Sequence, residues 1–180
     1  MKGTMRISLM LLAALLVSPP LLAHKTPTLN YKEETAATGT HIRRDALQDS
    51  WLPLNQTYEE MSAEYQNKLR AVYTSMAADD EPPFPARGLG PSIVQLREVH
   101  RRIGGTGEMK LILSVDAEGN VGDVSVYSTS NERMAYYGAI LLSKEKFKPA
   151  LCSGVPCPME FMYRFEYAFF DDVIDNTLVK

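Results

Sequence analysis

With 180 residues, 45% of them apolar and 23% charged, the chain has the composition of one globular domain with extra segments. Its 19 basic and 22 acidic side chains give a net charge of −3, which argues against nucleic acid or an anionic membrane surface as partner. Two cysteines and three scattered histidines offer no metal-ligand spacing.

Lys2 and Arg6 introduce a nearly unbroken apolar run over residues 7–17, which Ser18, Pro19 and Pro20 interrupt. Ala23 then offers a small residue for cleavage before His24. This is the layout of a secretory signal, so residues 1–23 read as a signal peptide and the mature chain as exported. The apolar run is about half of the roughly 20 residues a spanning helix needs. An uncleaved N-terminal membrane anchor is the alternative. Cleavage removes Lys2 and Arg6 and deepens the net charge to −5.

Residues 24–56 are polar with little periodicity, and read as mostly irregular. Within them, Trp51, Leu52 and Leu54 form an apolar anchor, with Trp51 expected to dock on the folded part. A helical region follows over residues 57–106. Thr57 and Glu60 have the spacing of a capping box, and Met61, Tyr65, Leu69, Val72, Tyr73 and Met76 recur along one helical face. The spacing predicts a helix over 58–78, ended by Pro82 and Pro83. A second helix is predicted over 92–103, with Ile93, Leu96, Val99 and Ile103 on one side and Gly104-Gly105 as its stop. His100, beside Arg101 and Arg102, reads as a surface residue.

From residue 107 the period changes to two. Met109, Leu111, Leu113 and Val115 share one strand face, while Lys110, Ile112 and Ser114 share the other. Asp116-Ala117-Glu118-Gly119-Asn120 fits a hairpin whose glycine takes positive φ, and Val124 and Val126 lie on the return strand. A helix is predicted over 131–146, capped by Ser130, with Gly138 implying close approach to the sheet. Pro149 prevents its continuation. Phe161, Tyr163, Phe165, Tyr167 and Phe169 alternate with polar or small residues, so one ring-bearing face must be buried. Cys152 and Cys157 flank Ser153-Gly154-Val155-Pro156. In an exported chain a structural disulfide is the default reading, and the spacing is not that of a Cys-x-x-Cys redox motif.

No catalytic constellation emerges. Asp79-Asp80-Glu81 reads as a solvated helix end, and Gly104-Gly105-Thr106-Gly107 lacks the lysine and helix of a phosphate loop. No serine has a nucleophile-elbow setting. The chain is therefore read as a non-enzyme without cofactor or metal.

The order and spacing of these segments resemble the C-terminal domain of TonB, the periplasmic end of the energy transducers of Gram-negative envelopes. The resemblance covers about residues 82–169. It rests on Pro82-Pro83-Phe84-Pro85, the run from Gly107 through Val115-Asp116-Ala117-Glu118-Gly119-Asn120-Val121, Asp123-Val124-Ser125-Val126, Phe147-Lys148-Pro149-Ala150 and Gly154-Val155-Pro156. It implies an α+β fold: a β-β-α-β unit, in which a helix covers a three-stranded antiparallel sheet, over residues 107–170, preceded by one or two helices and followed by a tail over 171–180. It also implies capture of an extended protein segment beside the last strand, by strand addition, and a link to outer-membrane transport receptors. The partner-binding residues it implies are Glu160, Met162, Arg164, Glu166, Tyr167 and Ala168. The chain lacks the long Pro-rich spacer of a transducer, and Glu145 stands where the family often carries an aromatic residue.

Overall fold

The computed structural model describes residues 29–31, 42–43 and 52–168, and among these, runs of alternating apolar residues and short proline-bounded segments form eight strands and three helices. In chain order these are β1 (Leu29–Tyr31), α1 (Ala63–Arg70), β2 (Phe84–Pro85), α2 (Gly90–Ile103), β3 (Gly107–Val115) and β4 (Val121–Thr129). Then follow α3 (Glu132–Leu142), β5 (Phe147–Lys148), β6 (Ala150–Cys152), β7 (Val155–Cys157) and β8 (Met159–Tyr167). Helices beside antiparallel strands make a mixed fold compatible with the α+β class. Residues 1–23, Trp51 and the tail expected over 171–180 lie outside the described residues.

The principal sheet has the strand order β1-β4-β3-β8. β3 pairs antiparallel with both β4 and β8, and the β3–β8 register runs unbroken from Gly107↔Tyr167 to Val115↔Met159. The sheet therefore has a fourth strand beyond the three expected. β1, in a stretch read as irregular, runs parallel to β4 with Leu29, Asn30 and Tyr31 opposite Val124, Ser125 and Val126. Its ladder sits near energetic balance. Each hydrogen bond contributes about 0.5–1.5 kcal/mol net, against about 1–2 kcal/mol per ordered backbone residue.

One face of the sheet is covered by α2 and α3. Met109, Leu111, Leu113, Val115, Val124, Val126, Phe161, Tyr163, Phe165 and Tyr167 are all buried there with Leu96, Met134, Ala135, Ala139 and Leu142. Gly138 permits the close approach: a methyl group on it would stand 2.8 Å from Met109 Cε. The cluster also takes in Tyr58, Met61, Leu69 and Phe84, so the region read as preceding the sheet unit shares its core. β2 pairs with β5, and the rings of Phe84 and Phe147 meet Phe161 edge-on at centroid separations of 6.0 and 5.3 Å.

The helix predicted over 58–78 is only α1. Glu60 accepts the Thr57 N–H at 2.9 Å as a capping box would, yet the helix begins after Ser62. It stops at Arg70, whose guanidinium binds the carbonyls of Ala77 and Asp80 and so folds the following segment back. Val72, Tyr73 and Met76 do not extend an amphipathic stripe. They cover the second face of the sheet, over Ile112 and Met162, with Ile42 beside them. α3 also differs: Asn131, rather than Ser130, caps it by accepting the Met134 N–H, and it ends at Leu142 rather than near 146. The chain must turn there so that Phe147 N–H can donate to Gly119 O at 2.9 Å.

Asp116 organises the β3–β4 turn by accepting the N–H groups of Glu118 and Asn120 at 3.0 and 2.7 Å. Burial raises the Asp116 carboxyl pKa, but these bonds with that of the Asn120 side chain outweigh it, and the net shift is downward. Gly119 sits at φ +77°, where a Cβ would lie 2.0 Å from Phe147 O. Gly119→Ala should therefore destabilise the fold by about 3 kcal/mol, from backbone strain plus steric displacement. Gly122→Ala, whose Cβ would meet only Ser114 O at 3.8 Å, should be nearly neutral. Urea titration of both variants checks the contrast, and equal losses would refute it.

Candidate functional site

β8 ends the principal sheet on one side, and among the described residues no strand pairs with its outer margin. The direction of its peptide groups follows from β3. Glu108 directs its carbonyl to the Ser130 N–H at 2.9 Å, toward β4. Peptide groups alternate along a strand, so Gly107, Met109, Leu111, Leu113 and Val115 direct theirs toward β8. Their register partners Met159, Phe161, Tyr163, Phe165 and Tyr167 are thereby committed to β3. Glu160, Met162, Arg164, Glu166 and, by continuation, Ala168 turn main-chain groups outward.

Five of the six residues expected at the interface thus share the outer rung. Tyr167 does not. Its main chain faces Gly107, and its ring is buried under the sheet, stacked on Phe165 with centroids 6.0 Å apart. Burial pushes its hydroxyl pKa up, against the Thr129 and Ser130 hydroxyls beside it. Gly107, Glu108, Ser130, Glu166, Tyr167 and Ala168 line a shallow, open groove of about 440 Å³ at this end of β8.

The side chains of the outer rung lie on the sheet's second face. Arg164 donates through Nε to Glu108 at 3.1 Å and also pairs with the Glu166 carboxylate. Lys110 Nζ lies 3.0 Å from the other Glu108 oxygen. The hydrogen bond from Lys110, aided by Arg164, holds the Glu108 carboxyl below the usual carboxylate range. At the opposite end, the buried Tyr73 hydroxyl donates to Glu160 O at 2.8 Å. Burial, reinforced by Glu160, raises the Tyr73 hydroxyl pKa far above its ordinary value, so it stays a donor. That bond reaches an outward carbonyl, as the alternation requires.

Three further contacts position the strand. Ser92 Oγ and Tyr163 Oη are 2.7 Å apart in the core, joining α2 to the middle of β8. His100 is buried rather than on the surface, with Nε2 2.7 Å from Gly105 O and its ring 5.2 Å from that of Tyr167. Its spacing from Leu96 and Ile103 already places it on the apolar side of α2. Cys152 and Cys157 form a disulfide across the β6–β7 hairpin, whose Ser153-Gly154 turn takes positive φ at both residues. Asp80 accepts the Ser153 N–H at 2.9 Å, and Glu81 exchanges two hydrogen bonds with Leu151. The hairpin that leads into β8 is thus fixed to the segment before β2.

Among the described residues no three His, Cys, Asp or Glu side chains gather as a metal site, and no helix is long and apolar enough to cross a membrane. His24, His41 and Phe169 lie outside the described residues. No family model matches the chain, and no curated protein matches it.

The alternation has a direct readout. Amide hydrogen exchange should be slow at Phe161, Tyr163 and Phe165 and at least tenfold faster at Met162 and Glu166. Uniform protection along β8 would mean that another segment already pairs with its outer margin.

Proposed function

We propose that the chain is an exported periplasmic protein-binding module of the TonB C-terminal type, which captures an extended segment of another protein by adding it as a strand beside β8. The observation that carries this reading is the margin itself: a nine-residue strand at the end of the sheet, its rings buried and its even-numbered residues turned outward. An incoming backbone completes such a ladder, and side chains along the rung then select the sequence.

The run β3, β4, α3, β8 supports the family assignment, as does the seating of α3 through Gly138. Two segments that carry the resemblance are also neighbours in space, since Phe84–Pro85 pairs with Phe147–Lys148. The partners proposed are periplasm-facing segments of outer-membrane transport receptors. Arg164 and Glu166, paired with each other, place one charge of each sign along that rung.

Synthetic peptides spanning the N-terminal periplasmic segments of such receptors provide the test, titrated by fluorescence anisotropy. At least one should bind, and Arg164→Pro should weaken it at least tenfold while the thermal midpoint moves by only a few degrees. Proline on the outer rung removes an outward N–H and leaves the β3 ladder intact. Undiminished binding to a folded Arg164→Pro variant would place recognition on another surface.

Export has its own check. The protein should be recovered from the periplasmic fraction with an N-terminus near His24. An intact Met1 in the membrane fraction would replace the soluble module with a tethered transducer.

A further inference from the structure

We infer that the outer margin of β4 is a second strand-addition site, one that accepts a short extended segment running parallel to it and that the chain's own Leu29–Tyr31 fills in the resting molecule. This site lies at the opposite end of the sheet from β8.

The main-chain geometry is already set out there. Ile112, like Glu108, faces β4, so its partner Ser125 is committed to β3 and Val124 and Val126 turn outward. Asn30 lies between them in the parallel register, its N–H toward Val124 and its carbonyl toward Val126. No tight turn imposes this arrangement, because Tyr31 and Val126 are distant in sequence and parallel neighbours require a long connection. The main-chain pairing that seats Leu29–Tyr31 is one that a segment from outside could equally make.

The occupant is also short. β1 covers three of the nine residues of β4 and stops where the β3–β4 register shifts between Lys110 and Leu111, opposite Tyr127. So brief a ladder is also covalently tethered. The ten residues 32–41 lead from Tyr31 to Ile42, which bridges to Tyr73, with Arg43 N–H donating to Val72 O at 2.7 Å. A tether of that length gives the segment a high local concentration at the margin, and an untethered competitor must overcome it.

The probe is a fluorescein-labelled peptide of residues 26–34 of this chain. The full mature chain should bind it weakly. The same chain with Asn30→Pro, which removes the N–H directed at Val124, should bind it one-to-one and at least tenfold more tightly. Amide protection should then rise at Val126 and stay unchanged at Met162 and Glu166, which separates this site from the β8 margin. A chain beginning at residue 35 should behave like the proline variant. Equal affinity of all three proteins, or protection appearing at β8 instead, would overturn the proposal. So would unfolding of both variants, since an exchangeable segment cannot be essential to the core.

Discussion

Alternation along β8 is the constraint on which the rest of the structure depends. In an antiparallel strand the side chains alternate between faces while the peptide groups alternate between edges, and the two alternations run in phase. Phe161, Tyr163, Phe165 and Tyr167 are therefore committed twice, their rings to the core and their main chains to β3. Met162, Arg164 and Glu166 face away on both counts. A single run of sequence thus builds the core with one set of residues and presents a surface with the other.

The helix-covered face needs that double commitment because its rings interlock. Phe161 is approached by Phe84, Phe147 and Tyr163, each edge-on, and Tyr163 is tied through its hydroxyl to Ser92 on α2. Moving β8 by one residue would turn every ring to the polar face and every charge into the core. Register is thereby fixed over the whole strand, as the proposed strand addition would require. The second face is covered differently, by one short patch around Ile112, with Tyr73 reaching past it to Glu160 O. The edge strand is held at its beginning by that bond and by the disulfide hairpin, and near its end by the ring of His100.

The strands of the sheet unit were legible because burial on one face leaves a period of two in the residues themselves. Met109, Leu111, Leu113 and Val115 could hardly serve any other element. The same logic misled at Val72, Tyr73 and Met76, whose spacing matches a helix but whose destination is the far face of the sheet. Only the tertiary location of Ile112 and Met162 distinguishes the two. Asn131 against Ser130 was a choice between adjacent good caps, settled because Ser130 Oγ accepts the Glu108 N–H at 3.3 Å. His100 was misplaced by its charged neighbours Arg101 and Arg102, although its own helical spacing pointed inward. β1 left no trace, since a three-residue parallel ladder depends on main-chain groups that every sequence carries. The outer rung of the candidate site could be read from alternation; the inward commitment of Tyr167 needed the phase of β3.

An edge strand that invites a partner also invites copies of itself, and the two must be separated energetically. Sheets commonly guard their margins with charge, because a second identical edge then brings like charges together, whereas a chosen partner can supply the complement. Arg164 and Glu166 stand on the outer rung of β8, paired to each other, and Arg164 also pairs with Glu108, so the pattern along that rung is one of alternating sign. Two such rungs in antiparallel contact could still match their charges in one register. Tyr73 adds a limit there, because the hydroxyl on Glu160 O leaves that outward carbonyl already hydrogen-bonded at the start of the strand. A long self-paired ladder would have to share that carbonyl with the Tyr73 hydroxyl or displace it, while a shorter added segment beginning at Met162 would not. The same bond that anchors β8 thus favours short ladders over long ones, which suits the proposed capture of a short segment.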